Sequence, residues 1–110
     1  MANELPIPHP REIHAWSARN YPVLPDAGEV VGLVEEVGEL CRAVNKRAQG
    51  VRWSFAYWTD EIAKEMGEIY IKLADISERM GFDLFEEINK RWATVSQRRD
   101  KDGYRPDEAA

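Results

Sequence analysis

Carboxylate side chains recur in pairs in two stretches of this chain. Glu36 and Glu39 form the first pair, and Glu65 and Glu68 form the second, each with a spacing of three residues. In an α-helix this spacing makes the two side chains neighbours, and like charges so placed cost a few tenths of a kcal/mol. Because the chain does this twice, and because carboxylate oxygens bind hard cations, the two pairs predict a shared cation site.

Hydrophobic periodicity predicts where these carboxylates point. Apolar residues recur around the first pair at Val30, Leu33, Val34, Val37, Leu40, Cys41 and Val44. They recur around the second pair at Ile62, Met66, Ile69, Leu73, Ile76 and Met80. At about 100° per residue, Glu36 falls on the edge of its apolar stripe and Glu65 almost inside its own. Both pairs are therefore expected at the seam between two helices, and the alternative is an acidic face in water.

Two helices are predicted in the first half of the chain. A short helix over 10–20 begins at Pro10, because proline suits the first turn of a helix. A long helix over 26–50 follows, with Asp26 as its cap and Gly50 at its end. The long helix contains the first carboxylate pair.

The second half begins with an aromatic connection over 51–58, which reads VRWSFAYW. No partner strand is evident, so these residues are predicted to form a loop. Thr59 is the expected cap of a helix over 59–80, and Gly81 is its expected C-terminal stop. This helix contains the second carboxylate pair.

A last helix is predicted over 84–99, because Asp83 and Glu86 make an Asp-x-x-Glu start. The fold class is therefore all-α: an antiparallel bundle of three main helices with a short N-terminal helix. So few helices enclose a thin core, and a homodimer or a dimer of dimers is expected to complete it. The predicted organisation is a flexible arm, a helical domain and a flexible tail, over 1–8, 9–100 and 101–110.

Composition narrows the class of protein. The net charge is −5, from 15 basic and 20 acidic residues, and this balance argues against stable nucleic-acid binding. An anionic substrate stays possible because a bound metal reverses the local field. No apolar run approaches the roughly 18 residues of a membrane span, and no signal-peptide pattern is visible, so a cytoplasmic protein is expected. The single cysteine, Cys41, excludes an intrachain disulfide and is predicted to lie in the core.

The two carboxylate motifs together resemble the signature of the MazG-type all-α nucleoside triphosphate pyrophosphohydrolases. That signature reads E-E-x-x-E, a spacer, then E-x-x-D, and the resemblance covers about residues 13–99. The glutamates that match it are Glu35, Glu36, Glu39, Glu65 and Glu68. A glycine lies inside each motif, at Gly38 and Gly67. The combination of two motifs is more specific than either one alone.

The resemblance implies an activity and a cofactor. Family members hydrolyse a nucleoside or deoxynucleoside triphosphate between the α and β phosphates, with Mg²⁺ and in some cases Mn²⁺, and they clear unwanted nucleotides. The metal ligands that it implies are Glu36, Glu39, Glu65 and Glu68. The catalytic residues that it implies are Glu35, Glu36 and Glu39, where Glu35 either orients a neighbouring group or positions water.

Two departures from the family pattern keep a second reading open. The family's final Asp is Glu68 here, and Val95 stands where many members have Asn. A non-catalytic helical module that binds nucleotides or a protein partner is therefore the alternative. A di-iron bundle would need Glu-x-x-His motifs, and the chain has none, since its histidines are His9 and His14. His14 is expected on the surface or in packing rather than as a ligand.

Substrate contacts are expected near the motifs. A nucleotide base needs an aromatic face and polar edges, and Trp16 and Asn20 lie just before the long helix. Arg91 and Arg98 are candidate phosphate contacts, although basic residues near a helix C-terminus also complement its dipole. Lys72 follows the second carboxylate pair on the same side of its helix. It is expected to neutralise the acidic cluster, with a phosphate contact as the alternative.

Overall fold

The computed structural model describes residues 6–22 and 26–98, with backbone alone at residues 26 and 27. These residues form four helices and no strand: α1 (Pro10–Asn20), α2 (Asp26–Gln49), α3 (Phe55–Met80) and α4 (Leu84–Val95). The predicted all-α class is confirmed. None of these helices has both the length and the apolar character needed to cross a bilayer. Most of the predicted N-terminal arm and the whole predicted C-terminal tail lie outside the described residues.

The helices α2 and α3 run antiparallel. Near the start of α2, Glu29 accepts a hydrogen bond from Lys72 near the end of α3. Near the end of α2, the guanidinium of Arg47 lies 4.7 Å from the ring centroid of Phe55, at the start of α3. The helix α3 is the centre of the fold, because it contacts each of the other three helices.

The aromatic connection is shorter than predicted, because α3 begins at Phe55 rather than near Thr59. Ser54 is the N-cap, and its hydroxyl accepts a hydrogen bond from the backbone N–H of Tyr57 at 3.0 Å. Trp58 is buried in the first turn. The hydroxyl of Thr59 instead donates to the carbonyl of Phe55. A serine cap and the burial of one tryptophan therefore outweigh the weak helix propensity of the aromatic run.

The ends of the later helices follow the predicted signals with one difference. Gly81 has a φ of +82°, in the left-handed region that favours glycine, and its N–H bonds back to the carbonyls of the last turn of α3. Asp83 caps α4 by accepting a hydrogen bond from the backbone N–H of Glu86 at 3.1 Å. The helix ends at Val95, four residues before the predicted end.

The apolar core of the single chain is thin. Among the described residues, the buried apolar side chains include Ile13, Ala43, Trp58 and Ala74. Cys41, predicted to lie in the core, is exposed. It belongs to the predicted apolar stripe of α2, whereas α2 meets α3 with a neighbouring side that includes Glu29, which contacts Lys72, and Glu36, which contacts Glu65. The homodimer or dimer of dimers expected from this thin core stays a prediction.

Candidate metal centre and adjoining cavity

The antiparallel pairing of α2 and α3 brings three of the predicted metal ligands together. One carboxylate oxygen from each of Glu36, Glu39 and Glu65 lies within 4.8 Å of the others. Glu65 is only 4% exposed, Glu36 is half-buried and Glu39 is exposed. The Oε2 atom of Glu65 is buried and has no hydrogen-bond partner. A buried carboxylate oxygen without a donor is costly, so the cluster has an unmet requirement for a proton or a cation.

The electrostatics of the cluster agree with this requirement. The pKa of Glu65 is raised to about 7 by its side-chain hydrogen bond with Glu36, by its burial and by the negative charge of Glu39. A metal ion would supply the positive charge that a proton supplies otherwise. The donor set contains only carboxylate oxygens, which suit a hard cation such as Mg²⁺ or Mn²⁺. The residues present therefore fit the predicted cofactor.

The other two glutamates of the motifs occupy different positions. Glu68 is not one of the three clustered carboxylates; it lines a neighbouring cavity instead. Glu35 is exposed on α2. The two motifs thus meet in space, but the fourth predicted ligand faces the cavity rather than the cluster.

The cavity lies between α1, α2 and α3 and has a volume of about 740 Å³. Its apolar wall comes mainly from α1, its flanking residues and α3: Pro8, Ile13, Trp16, Tyr21 and Ile71. Its polar lining includes Ser17, Glu29, Glu68, Lys72 and Asp75. An apolar cleft of several hundred Å³ with a few convergent polar groups is typical of a small-molecule site.

A polar network that the sequence reasoning missed adjoins the cavity, since its members Ser17 and Asp75 line it. Asp75 is 1% exposed, and its Oδ1 atom lies 2.7 Å from Nδ1 of His14. Its Oδ2 atom accepts hydrogen bonds from Ser17 and Arg79 at 2.8 and 2.9 Å. Burial opposes ionisation, but the interactions with Glu29, His14, Arg79 and Ser17 together hold the pKa of Asp75 well below its usual range. A lone Asp in an apolar stretch of α3 was the available signal.

Lys72 neutralises a carboxylate, as expected, but that carboxylate belongs to Glu29 rather than to the cluster. The Lys72 ammonium donates to Oε1 of Glu29 at 3.2 Å. Gly32 makes room for this contact, because a Cβ atom there would lie 3.3 Å from the Lys72 nitrogen. Burial and the proximity of Asp75 raise the pKa of Glu29, while Lys72 acts in the opposite direction. Glu29 is therefore a second site residue that the sequence reasoning missed.

The remaining substrate candidates divide into two groups. Trp16 lines the cavity and is 50% exposed. Its ring packs edge-on against that of Tyr21, with the two ring centroids 6.0 Å apart. The side-chain amide of Asn20 donates to the backbone carbonyl of Trp16, and Asn20 is not among the lining residues. Arg91 on α4 and Arg98 beyond its end are exposed, and they do not line the cavity either. Trp16 is therefore the aromatic candidate that the fold brings to the cavity.

No protein-family model, curated protein or solved structure matches this chain. The resemblance of the two motifs to the MazG-type signature stays a prediction. The functional assignment accordingly depends on the carboxylate cluster and the cavity beside it.

Proposed function

We propose that this chain is a Mg²⁺-dependent nucleoside triphosphate pyrophosphohydrolase of the MazG type. The reaction cleaves a nucleoside or deoxynucleoside triphosphate between the α and β phosphates and releases a monophosphate and pyrophosphate. The observation that supports it most directly is the Glu65 carboxylate, which has a buried oxygen without a hydrogen-bond partner and clusters with the carboxylates of Glu36 and Glu39. Such a cluster is the kind of site that a divalent cation stabilises.

In this proposal Glu36, Glu39 and Glu65 hold the cation, for which Mn²⁺ is the alternative to Mg²⁺. When bound, the metal supplies positive charge beside the phosphates and makes a water molecule more acidic. Glu65 contributes a buried oxygen that accepts no other hydrogen bond, so it is available as a ligand. Glu68 lines the cavity, and in this proposal it adds a fourth carboxylate on the side where the substrate binds. Glu35, exposed next to Glu36, is the candidate for orienting a neighbouring group or positioning water.

The nucleoside occupies the cavity in this proposal, and its triphosphate extends toward the carboxylate cluster. Trp16 and Tyr21 supply aromatic surface for the base. Lys72 is the preferred cation for a phosphate, because it lines the cavity while Arg91 and Arg98 do not. A Lys72 ammonium freed from Glu29 would stabilise the charge that develops on the departing pyrophosphate.

The wider role that we propose follows from this chemistry. An enzyme that converts triphosphates to monophosphates removes unwanted nucleotides from the pool, and the cytoplasm is the compartment that holds that pool. The acidic balance of the chain is unsuited to stable nucleic-acid binding. A homo-oligomer, either a dimer or a dimer of dimers, completes the thin core in this proposal.

A screen for pyrophosphate release tests the proposal. All ribonucleoside and deoxyribonucleoside triphosphates are offered to the wild type with and without Mg²⁺. Release that requires Mg²⁺ and is lost in Glu65→Gln is the expected result. Glu86→Gln, on the exposed face of α4, is the matched control and keeps wild-type activity. Absence of pyrophosphate release from every triphosphate would overturn the proposal.

A non-catalytic module that binds nucleotides or a protein partner is the second candidate. The position of Glu68, outside the three clustered carboxylates, is the observation that favours it. Calorimetry separates the two, because a non-catalytic module would bind a triphosphate with Mg²⁺ and leave it intact. Turnover of the same nucleotide would exclude this candidate.

A further inference from the structure

The charged lining of the cavity is mostly acidic. Among the described residues that line it, four carry a carboxylate and one carries an ammonium: Glu12, Glu29, Glu68 and Asp75, against Lys72. Glu12 is exposed and Glu68 is half-buried, whereas Glu29 and Asp75 are only 4% and 1% exposed. An ionised carboxylate accepts hydrogen bonds and donates none. The part of a ligand that lies near these carboxylates must therefore supply hydrogen-bond donors.

The two buried carboxylates differ in how firmly their partners hold them. The Oδ1 atom of Asp75 lies 2.7 Å from Nδ1 of His14, and its Oδ2 atom accepts a hydrogen bond from the hydroxyl of Ser17 at 2.8 Å. These contacts fix Asp75 between α3 and α1. The carboxylate of Glu29 accepts instead from the ammonium of Lys72, whose long side chain is 32% exposed. Of the two, Glu29 is therefore the carboxylate that can exchange its partner for a group of the ligand.

The pair of Glu29 and Lys72 lies two helical turns from the carboxylate cluster. Glu29 precedes Glu36 by seven residues on α2, and Lys72 follows Glu65 by seven residues on α3. Seven residues span about 10 Å along a helix axis, so both helices place the pair at the same level. In the proposed function the phosphates lie toward the cluster. The nucleobase is then the part of the substrate that lies at the level of Glu29.

The carboxylate of Glu29 loses its cation when the Lys72 ammonium turns to a phosphate. It then lies buried beside Asp75, and two carboxylates in such a place are costly without a donor or a proton. The pKa of Glu29 agrees with this, because burial and Asp75 raise it while Lys72 lowers it. An N–H donor of the ligand would take the place of the ammonium. A carbonyl oxygen there would instead set a second acceptor against the carboxylate.

We infer that Glu29 selects nucleobases that carry an exocyclic amino group, which donates a hydrogen bond to its carboxylate. Cytosine and adenine have such a group, whereas uracil and hypoxanthine have a carbonyl oxygen at the same ring position. A site built around a hydrogen bond rejects the analogue that cannot form it, because the buried polar group of the site is left unpaired. Selection of this kind rests on the nucleotide binding in the proposed function, but it does not require hydrolysis.

Matched pairs of nucleotide analogues test this inference by binding alone. The pairs are the α,β-imido triphosphates of cytidine and uridine, and those of adenosine and inosine. Their imido bridge resists cleavage between the α and β phosphates, so calorimetry with Mg²⁺ measures affinity apart from turnover. We expect the full chain to bind the amino member of each pair at least about tenfold more tightly than the carbonyl member, because one buried hydrogen bond is gained or lost.

A matched pair of variants assigns the selection to one residue. Glu29→Gln keeps the shape of the side chain, but its amide can also donate to a carbonyl oxygen. The preference for the cytidine analogue over the uridine analogue should therefore fall to about one or reverse. Glu12→Gln removes a carboxylate from the exposed part of the same cavity and should keep the wild-type preference. A change that only disturbs the fold would weaken both members of a pair alike and leave the preference unchanged.

Equal affinities for the two members of each pair in the wild type would overturn the inference. So would an unchanged preference in a folded Glu29→Gln, an equal loss of preference in Glu12→Gln, or no binding of any analogue. The wild-type comparison needs no variant and decides the matter even if Glu29→Gln does not fold. Pyrophosphate release without a preference for amino bases would overturn this inference alone. A preference in binding without pyrophosphate release would support it and overturn the hydrolytic activity.

Discussion

A carboxylate oxygen of Glu65 on α3 lies within 4.8 Å of a carboxylate oxygen of Glu36 on α2, and Glu65 is almost fully buried. Two carboxylates this close and partly out of water do not both ionise without a compensating positive charge. A proton supplies that positive charge in the metal-free chain, and a bound divalent cation would supply it in the metal-bound chain. The relationship therefore links the proposed cation binding, the pH dependence of stability and the proposed activity.

Cation binding is the first prediction. Mg²⁺ or Mn²⁺ should raise the melting temperature of the wild type, because a ligand at 100 times its Kd stabilises the folded state by about 2.7 kcal/mol. Glu39→Gln should weaken binding at least tenfold in calorimetric titration, and its exposed position limits any effect on packing. Glu86→Gln should bind like the wild type. Equal affinity in Glu39→Gln and the wild type would show that Glu39 is not a ligand.

The second prediction concerns the pH dependence of stability. The pKa of Glu65 is about 7 in the folded chain against a reference value of 4.5, so the folded state binds the extra proton between these values. Its stabilising contribution is fully present below about pH 4.5 and is lost as the pH rises through about 7. In the presence of a metal chelator, the free energy of unfolding should therefore fall as the pH rises from about 4.5 to about 7. Glu65→Gln should reduce this dependence on pH. Urea titrations at several pH values measure both, and identical curves would contradict the prediction.

The position of bond cleavage is the third prediction, since it separates a pyrophosphohydrolase from an ordinary phosphatase. Attack at the α-phosphorus in ¹⁸O-labelled water should place the label in the monophosphate and none in pyrophosphate. Glu36→Gln and Glu65→Gln should each lower kcat by about 100-fold or more while circular dichroism shows unchanged helicity, because both positions are proposed ligands. Labelled orthophosphate together with a diphosphate product would mean γ-cleavage and exclude this mechanism.

The cavity yields a fourth prediction. Stacking of a base on an aromatic side chain contributes about 1–3 kcal/mol, so Trp16→Ala should raise KM for the preferred triphosphate by about tenfold or more. Mg²⁺ affinity should stay unchanged, because Trp16 lines the cavity rather than the cluster. Trp92→Ala, at an exposed tryptophan of α4, serves as the control. A KM in Trp16→Ala equal to that of the wild type would place the base elsewhere.

The network around Asp75 yields a fifth prediction, on stability. Asp75→Asn removes the charge that binds His14, Ser17 and Arg79 in a buried position, and it should cost about 3 kcal/mol in the free energy of unfolding. Asp60→Asn, exposed on the same helix, should change that free energy by less than about 0.5 kcal/mol. Urea denaturation measures both. Similar small effects in the two variants would mean that the network contributes little to holding α1 on α3.

Local signals in the sequence predicted the helix ends where a single residue determines the backbone. Gly81 takes the left-handed conformation that ends α3, and Asp83 caps α4 as its spacing to Glu86 indicated. The start of α3 was missed, because the aromatic residues after Ser54 have weak helix propensity and their burial cannot be read locally. Propensity is a weak guide where tertiary packing supplies the larger energy.

The sequence by itself determined the all-α class and the side of each helix that bears carboxylates, because a three-residue spacing in a helix leaves little freedom. Only the tertiary structure decided which carboxylates meet. In that structure the carboxylates of Glu36, Glu39 and Glu65 lie together, whereas Glu68 lines the cavity. It also paired Lys72 with Glu29. The physical reason is that periodicity fixes directions about one helix axis, whereas contacts depend on how several axes pack together. For the same reason the valines and the cysteine of the predicted apolar stripe of α2 are exposed in the single chain, while its two leucines, Leu33 and Leu40, are half-buried.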